Sequence, residues 1–267
     1  MIKTLRYLNL VFLVVMIGVN VLANSLPIGY GNTGAISEKY QNLFTPAPVT
    51  FFIWAIIYVL LSIFIIYQLG LFGDQTMAKF MISLIGPWFI VSCILNIGWI
   101  FSWHYDKIWL SLIIMLALLC SLIILTIKIS PNTIEQVSGR TDINLLSGLS
   151  IYAFDIYLGW ISAATIANVS VFLVSINWNK FGLSDQLWTI VALLAGALIG
   201  VLFIVISRKY MSALAIIWAY CGILIKHISS SYYGGQYPAI IAVAIIGIIV
   251  IVSAAAIKLI LCTNSYE

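Results

Sequence analysis

Apolar residues fill the chain in long blocks, and polar positions fall almost entirely between them. The blocks lie near residues 7–24, 48–71, 79–103, 107–127, 151–174, 186–206, 210–228 and 238–261. Each is close to the roughly 20 residues that carry a helix across a bilayer core. Turn-forming clusters punctuate them: Gly73-Asp74-Gln75, Ser130-Pro131-Asn132, Asn177-Trp178-Asn179, Ser207-Arg208-Lys209 and Tyr233-Gly234-Gly235. The pattern predicts an all-α integral membrane protein of about eight transmembrane helices. Lys3 and Arg6 before the first run, with Val21-Leu22-Ala23 at its end, also fit a cleaved signal peptide. Asn20 and Asn24, one turn apart, favour a retained helix.

With the amino terminus in the cytoplasm, the inner segments hold eight basic residues, Lys3, Arg6, Lys79, Lys128, Arg140, Arg208, Lys209 and Lys258, against four outside, Lys39, Lys107, Lys180 and Lys226. The positive-inside rule therefore favours both termini in the cytoplasm, and a bacterial cytoplasmic membrane is the expected setting. This orientation puts Trp54 and Tyr58 of WAIIY in the outer half of the second span, four residues apart on one face. Asn96, Trp99 and Trp103 of LNIGWIFSW fall in the outer third of the third span. In the fifth, YLGWISAATIAN stacks Trp160, Ala164 and Asn168 on one face, with Trp160 near mid-depth. Residues 25–48 are long enough to close over these helix ends as a lid. Trp103, Trp109, Trp178 and Trp188, near span ends, fit an interfacial aromatic belt. Trp160 is too deep for one, so its face is expected to look into a mostly apolar pocket with a few convergent polar groups.

These motifs resemble the signature helices of the TspO/MBR family, the tryptophan-rich sensory or translocator proteins. The second helix carries the family's Trp-x-x-x-Tyr as Trp54 and Tyr58, and the third its Asn-x-x-Trp as Asn96 and Trp99. The fifth carries a Trp followed by Ala, Thr and Asn as Trp160, Ala164, Thr165 and Asn168. The resemblance covers roughly residues 1–178 and implies a five-helix ligand-binding bundle there, followed over 179–267 by three additional transmembrane helices. It implies a sensor or carrier that binds a flat apolar ligand, a porphyrin- or haem-type tetrapyrrole or a sterol, with no required cofactor. The ligand-binding residues it assigns are Pro46 of the lid, Trp54, Tyr58, Asn96, Trp99, Trp160, Ala164 and Asn168. In the lid, Phe44-Thr45-Pro46-Ala47-Pro48 replaces the family's Thr-Pro-Pro run and its following Trp. A homodimer is an admissible state.

Composition narrows the alternatives. Hydrophobic residues make up 63% and charged residues 7%, where a soluble domain carries about a quarter charged. The net charge of +4 is scattered singly, so nucleic acid is not an expected partner. Cys93, Cys120, Cys221 and Cys262 lie in apolar spans or at the end of one, without metal-ligand spacing or a disulfide framework. No catalytic residue or metal site is assigned, although porphyrin breakdown by some family members leaves an enzyme-like role open. Asp155 is the one acidic residue that can fall within a span, which makes it a candidate proton site for the alternative function, a proton-coupled small-molecule transporter. With the fifth helix starting near Ile156, Asp155 is expected at the cytoplasmic interface instead.

Overall fold

The structure, a computed structural model, describes residues 2–26, 28–29, 31, 33–72, 75–130, 133–134 and 145–263. Gly73, Asp74, Pro131, Asn132 and Arg140 lie outside the described residues. Ten α-helices and two short 3₁₀ turns account for the described secondary structure, with no strand among the described residues. The helices are α1 (Ile2–Ser25), α2 (Thr33–Lys39), α3 (Ile53–Gln68), α4 (Gln75–Ile85), α5 (Trp88–His104), α6 (Ile108–Lys128), α7 (Leu145–Ser175), α8 (Asp185–Val205), α9 (Tyr210–Ile228) and α10 (Pro238–Thr263). Among the described residues seven helices are long and apolar enough to cross a bilayer, and α4 with α5 passes the same test as a bent pair, a broken span or a re-entrant loop, so the all-α membrane class holds.

Two features depart from the hydropathy pattern. The apolar run at 79–103 is not one rod, because α4 and α5 meet at a 60° bend. Gly86 takes a left-handed φ of +54° there, and Pro87, which has no N–H to donate, opens the new helix. The fifth span, α7, is 31 residues long and starts at Leu145, which carries Asp155 well into the helix. Asp155 is buried, at 6% exposure, and the helix starts well before the expected Ile156. The reason is local: Ser150, which reads as a loop residue, returns its hydroxyl proton to the Leu146 carbonyl at 2.7 Å and sits comfortably within a helix.

The chain forms two compact units, one of Met1–Ile36 and Ile53–Leu158, the other of Ser37–Phe52 and Gly159–Glu267. In the first, α5 packs along α6 and α1, and α1 also meets α3 and α4. Its centre holds Phe64, Phe89 and Phe154 in mutual edge-to-face contact at 5.0–5.8 Å. Asn9 donates to Gln68 at 2.9 Å, and Gln68 donates to the Arg6 carbonyl at 3.0 Å, so these buried amides join α1 to the end of α3.

The second unit packs α8, α9 and α10 against one another and receives the carboxyl-terminal half of α7. Gly159 lets α7 approach α9 so closely that a Cβ built on it would lie 2.1 Å from the Ser212 carbonyl oxygen. Gly196 and Gly200 form a small-x-x-x-small stripe, the first against Tyr220 of α9 and the second against Ile251 of α10. The Tyr220 hydroxyl donates to the Leu193 carbonyl. Ser184 caps α8 by accepting from the Leu187 N–H at 3.2 Å, and Asp185 in the first turn suits the positive helix end. The segment Ser37–Phe52 is sewn onto α9: the Ala47 N–H donates to the Gly222 carbonyl, the Trp218 indole to the Thr50 carbonyl, and the His227 Nε2–H to the Leu43 carbonyl.

Candidate ligand site

The first unit gathers the aromatic residues of two signature motifs into a column. Because WAIIY spaces Trp54 and Tyr58 by one turn, their rings stack with centroids 5.7 Å apart and planes 24° apart. Trp54 also stacks on Trp99 at 6.1 Å and 29°, and Trp99 on Trp103 at 5.7 Å and 27°. Tyr157 closes the side of the column edge-on, 5.8 Å from Trp54. The order is thus Tyr58, Trp54, Trp99, Trp103. Trp103 is buried and donates its indole N–H to the Thr33 carbonyl at 3.1 Å, which corrects its expected place in an interfacial belt. Trp109 is 58% exposed, as a belt residue should be.

The amino-terminal part of the lid is clamped at the end of the column. His104 Nδ1 lies 3.3 Å from the Ile28 carbonyl, and since a carbonyl only accepts, that nitrogen carries the proton. Nε2 then accepts from the Thr33 hydroxyl, 3.2 Å away. The Thr33 N–H donates to Asn24 Oδ1 at 3.3 Å. A buried polar chain continues below. Asn24 donates to the Asn20 carbonyl, Asn20 to Asn96 Oδ1 at 2.8 Å, and Asn96 to the Tyr157 hydroxyl at 2.9 Å. Asn96 is fully buried and spends both ends of its amide on these bonds, which join α1, α5 and α7.

Two polar atoms of the column are left over. The Tyr58 hydroxyl and the Trp99 indole N–H are buried and have no hydrogen-bond partner among the described residues. A buried donor without an acceptor costs about 1–3 kcal/mol, so two on one aromatic surface are a notable feature.

The other expected site residues belong to the second unit. Pro46 is buried in the segment sewn onto α9. Trp160 is 3% exposed and meets Phe51 edge-on at 6.0 Å. Ala164 is half-buried, Thr165 returns its hydroxyl proton to the Ile161 carbonyl, and Asn168 is buried. The structure therefore brings Trp54, Tyr58, Asn96 and Trp99 together in one unit and Pro46, Trp160, Ala164 and Asn168 into the other. Sequence reasoning passed over Tyr157 and His104 and gave Trp103 to the interfacial belt. A usable signal existed for Trp103, which continues the helical spacing of Asn96 and Trp99, and for Tyr157, which opens the YLGW stretch.

The family model for TSPO-like proteins matches residues 6–257. The chain belongs to the TSPO-like protein family. The match runs past residue 178 and takes in α8, α9 and most of α10. No curated protein and no solved structure matches the chain. As a TSPO-like protein it is an integral membrane protein with a role of sensor or transporter type. The three described cysteines whose side chains are placed, Cys93, Cys120 and Cys221, are free thiols in this TSPO-like chain.

Proposed function

We propose that this TSPO-like protein is a membrane sensor or carrier whose ligand, a flat hydrophobic molecule of tetrapyrrole or sterol type, lies against the aromatic column of α3 and α5. The carrying observation is the pair of buried donors, the Tyr58 hydroxyl and the Trp99 N–H, on a stack of rings. A flat ligand lies along the side of the column beside Trp54 and Trp99, whose ring faces are taken by each other, Tyr58 and Trp103, and its carbonyl or carboxylate oxygens accept from the two donors. Binding of that kind recovers hydrogen bonds that the protein alone does not make. The hydrogen bonds of His104 to the Ile28 carbonyl and of Trp103 to the Thr33 carbonyl support a closing element at the end of the column.

Protoporphyrin IX added to the purified protein is expected to quench tryptophan fluorescence saturably. Trp54→Ala should weaken this binding by about 1–3 kcal/mol, the value of a large aromatic contact. Tyr58→Phe should weaken it by about 1 kcal/mol, the value of one hydrogen bond. Trp109→Ala, outside the column, should leave affinity unchanged. Equal affinities in all these variants would place the ligand elsewhere, and saturable quenching by a sterol but not by the porphyrin would settle the ligand class in favour of the sterol.

The burial of Asp155 favours a second reading, proton-coupled transport. A carboxylate within a span tends to be neutral or paired, and a coupled cycle uses the change between those states. Asp155→Asn keeps the shape but cannot change charge. For a sensor, the variant binds protoporphyrin with unchanged affinity, and neither form moves it across proteoliposomes under a pH gradient. Flux that the wild type supports and Asp155→Asn abolishes, at equal affinity, replaces the sensor reading with the transporter.

A further inference from the structure

The second unit contains a cleft that shares no residue with the aromatic column. It opens between the carboxyl-terminal half of α7 and the amino-terminal half of α8 and encloses about 250 Å³. Val169 and Leu173 form one wall, Ala192 and Ala195 the other, and Phe44 lies at its base. The polar residues along it are turned to their own backbone. Ser170 donates to the Ile166 carbonyl and Thr189 to the Asp185 carbonyl. The Asn42 side-chain oxygen accepts from Phe44, Thr45 and the Thr45 hydroxyl, and its amide donates to the Tyr40 carbonyl. What these walls offer a guest is apolar surface.

The mouth differs. Lys180 Nζ lies 2.9 and 2.7 Å from the two carboxylate oxygens of Asp185, both on the rim of the cleft. Trp178 and Trp188 stand beside the pair with ring centroids 4.8 Å apart, and the Trp188 indole donates to the Lys180 carbonyl at 2.9 Å. The turn that holds them is strained: Asn177, Lys180 and Phe181 have φ of 51°, 57° and 51°. Left-handed backbone is costly for residues with a Cβ, and such strain gathers where a side chain must be held in a particular place. Here it presents Lys180 and Trp178 at the end of an apolar cleft, at the turn between two spans.

The geometry points to a site for one zwitterionic membrane lipid, with an acyl chain in the cleft and its head group on the ion pair. The head carries an anionic phosphate and a cationic ammonium. The phosphate meets Lys180, while the ammonium meets Asp185 and the ring faces of Trp178 and Trp188. Charge complementarity selects this class, because a purely anionic head would face the Asp185 carboxylate and a purely cationic head the Lys180 ammonium. The indoles of Trp178 and Trp188 suit the boundary between chain and head group.

The test is native mass spectrometry of the full chain released from an uncharged maltoside detergent, with phosphatidylethanolamine or phosphatidylglycerol added. One phosphatidylethanolamine per chain is expected to be retained at concentrations where phosphatidylglycerol is at least fivefold less bound. Ala192→Phe, which fills the cleft, should lower this retention at least tenfold. The double variant Lys180→Gln/Asp185→Asn alters only the rim, at the small cost of one favourable charge at the start of α8, and should erase the preference between the two lipids. Equal retention of both lipids by the wild type, tighter retention of phosphatidylglycerol, or a preference that survives the rim variant would each overturn the assignment.

Discussion

Gly159→Val is expected to prevent accumulation of the folded protein, and Gly159→Ala to lower its thermal stability severely. The first atom of any side chain at this position would lie 2.1 Å from the Ser212 carbonyl oxygen and 2.7 Å from its carbonyl carbon and Cα. All three are backbone atoms, so no rotamer change relieves the clash, and α7 would have to move away from α9. Overpacking costs about 1–3 kcal/mol where side chains can yield, and the upper end or beyond applies where only backbone can move. Gly98, in the other signature stretch, provides the contrast. A Cβ there meets only the Ile114 side chain, Cδ1 at 3.6 Å and Cγ2 at 3.9 Å, ordinary contact distances, so Gly98→Ala should melt like the wild type. Melting curves of detergent-solubilised protein check this, and a Gly159→Ala variant as stable as Gly98→Ala would refute the close approach of α7 and α9.

Asn96→Ala should cost about 2 kcal/mol of stability, more than the roughly 0.6 kcal/mol average of interhelical hydrogen bonds in membranes, because it breaks two bonds at once. Asn20 loses the acceptor 2.8 Å away, and the Tyr157 hydroxyl loses its donor at 2.9 Å, both at buried positions. Tyr157 also packs edge-on against Trp54, so loosening it should weaken porphyrin quenching as well. A double-mutant cycle of Asn96→Ala with Tyr157→Phe isolates one bond, and a coupling of about 1 kcal/mol is expected for it. Strict additivity would show that the two side chains do not act together.

The spans and the family were legible because both are written in short-range pattern. Apolar runs of helix length announce themselves, and three aromatic motifs in order on their helices form a signature that survives without tertiary information. The bend between α4 and α5 was missed although Gly86-Pro87 marks it, because the hydropathy across 79–103 is continuous. The start of α7 was harder, since Ser147, Gly148 and Ser150 read as loop, whereas serine hydroxyls inside an apolar helix bond to the preceding turn. The site was legible only in part. Periodicity tells which residues share a face of one helix, but not which neighbour that face meets. Trp54, Tyr58 and Trp99 do form a cluster, while the face carrying Trp160 packs with Phe51 in the other compact unit. Trp103 shows the converse, because at a span end a belt tryptophan and a buried donor to a lid carbonyl have the same sequence context.

The attachment of Ser37–Phe52 to α9 also has a consequence for biosynthesis. Thr50 and the Trp218 that donates to its carbonyl are 168 residues apart in the chain. At about 5–20 residues per second of synthesis, the segment leaves the ribosome roughly 8–34 seconds before its partner helix exists. For that interval the carbonyls of Leu43 and Thr50 and the N–H of Ala47 lack the groups that satisfy them in the finished protein. A nascent chain stalled before residue 210 should therefore present Ser37–Phe52 to proteases and to insertion chaperones, and release of α9 should end that exposure in a single step.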